Sequence, residues 1–193
     1  MQHVLIQALF FGKAAVIELL TTYLEMFAPP EATGQERASL DVRRMDPPAV
    51  GFFRYLYNSI GDGTNGYWWV RRQMSDAALE AILSRPGSAF FILYEGGSPA
   101  GFYELDLGDP LNIEIAFFGI LPEFQGRKLG RGLLTHAIQN AWSLKPERLW
   151  IHTCNFDSLR ALASYVKAGF EVYAEETQWI ALPHFDVAAN YVP

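Results

Sequence analysis

The chain has 193 residues, half of them hydrophobic and 15% aromatic, enough for one domain with a real core and too apolar for a disordered polymer. A formal net charge of −6 leaves no general basic face for nucleic acid and mildly favours cationic partners such as amines. The single cysteine, Cys154, excludes an internal disulfide and a Cys-based zinc cluster and fits a reducing cytoplasm.

The first twenty residues are apolar, but Lys13 and Glu18 interrupt them. With no basic n-region or small-residue cleavage site, neither a secretory signal nor a membrane span is expected. Val16 to Met26, β-branched and aromatic, predicts the first strand, ending at Pro29-Pro30. Residues 31–46 are polar, contain Gly34 and read as a loop. Asp46 as N-cap and Pro47-Pro48 in the first turn predict a helix to about Ser59. Gly61 to Gly66 reads as a turn, and Ser75-Asp76 opens a second helix closed by Arg85-Pro86-Gly87. Ala89 to Tyr94 and Ala100 to Leu107 flank Glu95-Gly96-Gly97-Ser98, a hairpin signal. Gly108-Asp109-Pro110 leads into a strand from Ile113 to Ile120. A helix to about Ser143, a strand from Arg148 to Thr153 and a helix from Asp157 to Ala168 follow. Gly169 stops that helix, and Phe170 to Glu175 and Gln178 to Leu182 predict the last strands. This order has no repeat and no long linker. It predicts one α/β domain over residues 1–193 around a mixed sheet, with residues 1–15 and 184–193 peripheral.

The most informative stretch is 118–134, Phe-Gly-Ile-Leu-Pro-Glu-Phe-Gln-Gly-Arg-Lys-Leu-Gly-Arg-Gly-Leu-Leu. An apolar strand ends at Pro122, a turn rich in Gly and cations follows, and a helix begins. Such a junction points backbone N–H groups into a concavity at a helix N-terminus, where a phosphate or pyrophosphate can bind. Arg127, Lys128 and Arg131 add positive charge there although the chain is acidic. The P-loop pattern and the G-x-G-x-x-G dinucleotide fingerprint are both absent.

The run resembles the coenzyme A loop of the GNAT superfamily of N-acetyltransferases, [RQ]-x-x-G-x-[GA] after a hydrophobic-x-Pro strand end. Gln125 and Gly130 fit its ends, Ile120 and Pro122 fit the strand end, and Lys128 stands where the family usually has Gly. If that position needs positive φ, Lys is strained there; if it is already helical, Lys merely adds charge. Residues 155–170 resemble the family's later signature N-x-x-A-x-x-x-Y-x-x-x-G-F. Ala161, Tyr165, Gly169 and Phe170 are in register, and Ser158 replaces the Asn. His152 to Asn155 and Thr22 to Met26 resemble a bacterial branch of the superfamily with no settled acceptor.

The resemblance implies an α/β (α+β) fold, a mixed and mostly antiparallel sheet flanked by helices, with a splayed strand pair at the coenzyme site. It implies acetyl-CoA as acyl donor, no metal, and a small-molecule or protein amine as acceptor. The implied coenzyme contacts are Phe118, Gly119, Ile120, Gln125, Gly126, Arg127, Lys128, Leu129, Gly130, Arg131, Asn155 and Ser158. Phe118 N–H would face the acetyl oxygen and the Ile120 backbone would pair with the pantetheine arm. Tyr165, a phenol protonated at neutral pH, is the candidate acid for the departing thiolate. Its alternative is a core aromatic.

Glu114 is the candidate base, six residues before Ile120 and so on its face of the strand by period two. Glu104 on the preceding strand is the reserve. Asn155 could bond pantetheine or cap the next helix. His136 and His152 lack a partner at ligand spacing and read as structural. Cys154 reads as a packed thiol, and Tyr67-Trp68-Trp69 as core or as an acceptor-pocket wall. A non-catalytic acyl-CoA-binding module is the reading from another class, and a homodimer is left open.

Overall fold

The computed structural model describes residues 9–11, 14–30, 40–62 and 68–181. Eight strands form one sheet: β1 Leu9–Phe11, β2 Ala14–Met26, β3 Asp41–Met45, β4 Ser88–Glu95, β5 Ser98–Asp106, β6 Asn112–Ile120, β7 Arg148–Cys154 and β8 Glu171–Ala181. Four helices flank it: α1 Val50–Asp62, α2 Asp76–Leu83, α3 Leu129–Ser143 and α4 Ala161–Lys167. The sheet order is β1-β2-β7-β6-β5-β4-β3, with β8 on the other side of β2. The first long strand therefore sits between two late ones. Every pairing is antiparallel except β6 with β7.

Alternation along the central strands sends side chains into two cores, one on each face. Leu24, Leu105, Ile113, Ile115 and Ile151 pack under α3 with Leu133, Leu134 and Ile138, and Tyr165 and Phe170 join them. Phe90, Ile92 and Phe102 pack under α1 and α2 with Phe53, Tyr57, Ile60 and Leu79. Phe53 meets Phe90 and Phe102 edge to face, each at 5.8 Å. Burying each such side chain contributes roughly 1.5–3 kcal/mol before entropy is charged. The β4–β5 hairpin turns on Gly96 and Gly97, both at positive φ. Ser75 caps α2 by accepting from Ala78 N–H (3.3 Å).

Several boundaries differ from the sequence reading. Asp41–Met45 lies inside the predicted loop yet pairs with β4 as an edge strand. Its outward charges, Arg43 bonded to Asp41 and Arg44 to Asp46 (2.9 Å), hid it among polar residues while protecting the edge. Asp46 is engaged there and α1 starts only at Val50, past both prolines, continuing through Gly61 and Asp62 where a turn was expected. The two predicted last strands are one, because the antiparallel ladder with β2 runs unbroken in strand character past Glu176 and Thr177. Residues 9–11, 14 and 15 belong to the sheet, with β1 at the end of its order beside β2. The 184–193 tail lies outside the described residues.

Candidate active site

The parallel ladder between β6 and β7 pairs Asn112–Ile115 with Arg148–Ile151 and stops there. Beyond it β6 continues to Ile120 beside β5 alone, so the two strands fork. Leu121 N–H donates to Ala100 O on β5 (2.9 Å). Period two turns Gly119 and Phe117 N–H the same way and leaves those of Phe118 and Ile120 facing the fork. Oriented N–H groups of this kind suit a polarised carbonyl. Gln125 donates its side-chain amide to Ile120 O (3.3 Å), tying the loop to the strand end.

The loop itself is built by backbone conformation. Pro122–Phe124 makes a short 3₁₀ turn, Gly126 sits at φ +78°, and Lys128 sits at φ +63°, immediately before α3. The first alternative for Lys128 therefore holds: a residue with a Cβ occupies a left-handed position that Gly would fill without strain. The first N–H groups of α3 have no intrahelical partner. Arg127 and Arg131 are exposed, and the Arg127 guanidinium lies over the Phe124 ring (4.9 Å) while donating to Glu123 O (3.1 Å). Leu129 is buried beneath the turn as its anchor. The result is a cationic turn leading into the α3 N-terminus at the open end of the fork.

Tyr165 projects from α4 on the α3 side of the sheet, buried and edge-on to Phe118 (6.2 Å) and Phe170 (6.4 Å). Burial, with Asp157 and Cys154 adding to it, pushes its hydroxyl above the ordinary tyrosine value. It thus stays a proton donor at neutral pH. Among the described residues the hydroxyl makes no hydrogen bond.

Glu114 is on the other face. Glu104 pairs with Phe117 and Leu105 with Ile115, so Ala116 is an extra, unpaired residue, a β-bulge. Opposed residues share a face, which puts Phe118 and Ile120 with Ile115 on the α3 side, and Glu114 with Phe117 and Gly119 on the α1 side. The expectation that Glu114 and Ile120 share a face is therefore corrected: the bulge inverts the parity. Glu114 Oε1 instead meets His152 Nδ1 at 3.0 Å. His152 is flanked by Tyr23 (6.0 Å) and Trp150 (6.2 Å).

Glu104, the reserve base, has no exposure and forms a two-pronged ion pair with Arg71, one prong 2.9 Å long. Burial raises its carboxyl and the Arg71 guanidinium opposes that rise. Arg71 also lies over the Phe117 ring (4.3 Å) and the Phe53 ring (5.4 Å). The pair pins the bulged segment from behind.

Asn155 is occupied elsewhere. Its Oδ1 accepts from Leu20 N–H (3.1 Å) and its Nδ2 donates to Glu18 O (3.0 Å), extending the β2–β7 ladder. Asp157, not Asn155, organises the turn, accepting from Thr153 Oγ1 (2.9 Å) and Cys154 N–H (3.0 Å). Ser158 accepts from Arg160 N–H (3.4 Å) in the same turn. Burial pushes the Cys154 thiol up to about 12, which removes it as a nucleophile. His136 shares its Nδ1 with Tyr103 Oη (2.9 Å), in a structural network with Asn140 (3.0 Å). Trp68 packs on Tyr57, Phe102 and Phe117 as core beside the site, and Tyr67 lies outside the described residues. Among the described residues no three of His, Cys, Asp and Glu converge as a metal-ligand set, and no helix is long and apolar enough to cross a membrane.

Sequence reasoning missed Arg71 and His152. Nothing local marks Arg71, 33 residues from its partner. For His152 the available signal was alternation along β7, which with Leu149 and Ile151 buried puts it on the same face as Trp150.

The chain is 24% identical over 149 residues to the uncharacterized N-acetyltransferase MJ1207 of Methanocaldococcus jannaschii, a match covering 73% of this chain and 65% of that protein. The fold is similar to that of a Bacillus subtilis acetyltransferase in complex with CoA, with 21% identity and TM-score 0.54 over 70% of this chain and 79% of that one. It is also similar to an aminoglycoside acetyltransferase from an uncultured soil metagenomic sample, with 18% identity and TM-score 0.55 over 77% and 97% of the two chains. The model of the acetyltransferase (GNAT) family matches residues 55–170, which include the fork, the cationic loop and Tyr165, and the chain belongs to that family.

Proposed function

We propose that the chain transfers an acetyl group from acetyl-CoA to a primary amine, a small molecule in preference to a protein, by direct attack, as a cytoplasmic enzyme. The observation that carries this reading is the fork between β6 and β7, with Phe118 and Ile120 N–H turned into it. The fork runs from the cationic loop to Tyr165, so one extended ligand can span both.

On this reading Gln125 to Arg131 would hold the pyrophosphate, with the α3 N-terminus and Gly126 backbone supplying donors. Ile120 would pair with the pantetheine arm, Gly119 keeping the strand close to α1, and Phe118 N–H would polarise the thioester carbonyl. Tyr165 would protonate the leaving thiolate from the α4 side. Glu114 supplies the carboxylate on the opposite side, where the amine must shed a proton. Direct attack fits the chain's one thiol, Cys154, which burial pushes up to about 12 and so disfavours as a nucleophile.

Two measurements test this. Acetyl-CoA and desulfo-CoA should each raise the melting temperature, and adenosine should not, because only a ligand selective for the folded state stabilises it. Thiol release from acetyl-CoA should then be followed with a monoamine, a polyamine, an aminoglycoside and a peptide amine. Turnover of any of them supports the enzyme. Binding without turnover across the panel would make the chain a non-catalytic acyl-CoA-binding module, and no melting shift at millimolar acetyl-CoA would overturn both readings.

A further inference from the structure

His152 stands at the crotch of the fork, the first residue of β7 beyond the last paired residue, Ile151. Its Nδ1 is 3.0 Å from Glu114 Oε1. A carboxylate only accepts, so Nδ1 carries the hydrogen, and in the neutral ring the lone pair is on Nε2. Among the described residues no hydrogen bond reaches Nε2. The imidazole side chain is 43% exposed and the Glu114 side chain only 17%, so the ring is the end of the pair that an acceptor would meet first.

The neighbouring charges are otherwise engaged. From β2, Glu25 is bonded by Arg148 of β7 (2.6 Å), and Tyr23 donates its hydroxyl to Glu176 of β8 (3.1 Å). Tyr173 of β8 lies against Tyr23 (6.1 Å) and beneath Arg148 (4.7 Å). Cys154, next on this face of β7, is protonated. Glu114 of β6 is thus the carboxylate that His152 has to itself. The ring lies on the sheet face opposite Tyr165, so an amine can enter from one face while the thiolate leaves toward the other.

We propose that His152 takes the proton from the attacking amine, with Glu114 orienting the ring and offsetting its positive charge. This rests on the acetyl-transfer reading. The ammonium gives a proton to Nε2, and the neutral nitrogen bonds to the acetyl carbon. The carbon–sulfur bond then breaks, its electron pair leaves on sulfur, and that thiolate takes the Tyr165 proton. The amide nitrogen's surplus proton and the one held on His152 Nε2 leave to solvent and Tyr165 is reprotonated from it, so the net release is one proton and no oxidant or further reactant is needed.

The test is thiol release by wild type, His152→Gln and Glu114→Gln, using the panel amine that turns over fastest, across the pH range in which imidazole and amines titrate. His152→Gln should lower kcat/KM by roughly 10²–10⁴-fold near neutral pH, the usual worth of a positioned base. The deficit should shrink as rising pH supplies free amine. Glu114→Gln keeps an acceptor for Nδ1–H without the charge and should lose about ten-fold, the low end of what such positioning supplies. Melting temperature and the KM for acetyl-CoA should hold in both variants, since the ring is exposed and off the coenzyme path. Full activity in His152→Gln, or a loss equal at every pH, would overturn the assignment while leaving acetyl transfer intact. Absence of wild-type turnover with every amine would overturn the acetyl-transfer reading itself, and this with it.

Discussion

Replacing Arg71 by Met removes one half of a buried ion pair and leaves the Glu104 carboxylate without its hydrogen-bond partner. Both guanidinium prongs are lost, and neither carboxylate oxygen can reach water from a site with no exposure. Breaking such a pair on one side costs about 3–5 kcal/mol. For a chain of this length that is on the order of 10 °C in melting temperature.

The loss should depend on pH with a definite sign. Burial already raises the Glu104 carboxyl, and Arg71 is the foremost of the groups that lower it, with Arg85 adding at longer range. Without Arg71 its folded pKa rises further above the unfolded value, so the folded state binds more protons between the two. Stability of Arg71→Met is then greatest below the unfolded carboxyl range and falls as pH rises through the folded pKa. The deficit relative to wild type should be largest near neutral pH and smallest at about pH 4, close to where free carboxyls titrate. Replacing both partners, Arg71→Met with Glu104→Leu, should recover most of the loss, because no orphaned charge remains. Urea melts of the three proteins at both pH values measure this. A neutral-pH loss under about 1 kcal/mol, the worth of an exposed pair, or a deficit that does not shrink in acid, would refute the buried-charge argument.

Other outcomes follow from the same structure. Tyr165→Phe deletes one hydroxyl and keeps the ring against Phe118 and Phe170, so stability should hold while kcat falls roughly 10²–10⁴-fold and the KM for acetyl-CoA stays within a few-fold, read by steady-state kinetics. Lys128→Gly should stabilise the fold by about 0.5–1 kcal/mol, the left-handed strain removed less the entropy of Gly, unless the lost charge lowers coenzyme affinity at the same time; melts with and without acetyl-CoA separate the two. Arg127→Glu or Arg131→Glu should weaken acetyl-CoA binding and flatten its salt dependence, checked by calorimetry at two ionic strengths.

What could be read from the sequence was what local pattern encodes. Gly96-Gly97 announced the hairpin, Pro122 and the Gly- and cation-rich turn announced the loop before α3, and the Tyr165–Gly169 spacing placed the phenol on α4. Features made by pairing between distant residues stayed hidden. The bulge at Ala116 has no Gly or Pro to mark it, yet it reverses which face Glu114 occupies. Asp41–Met45 is a strand only because β4 offers its edge, and its charges made it look like a loop. Asn155 seemed a cap or a ligand because the β2 backbone that claims its amide lies 135 residues away. The meeting of Arg71 with Glu104, and of His152 with Glu114, depends on the same sheet geometry.

The central claim is that the β6–β7 fork receives the acyl arm of the coenzyme while the loop before α3 receives its pyrophosphate. Backbone amide chemical shifts, recorded as acetyl-CoA is titrated into the isotope-labelled protein, test it most directly. Phe118, Ile120 and residues 126–131 should shift together along one saturating curve, and desulfo-CoA should move the loop amides equally. Saturable binding that leaves Phe118 and Ile120 unmoved, with the shifts gathered elsewhere on the sheet, would contradict it.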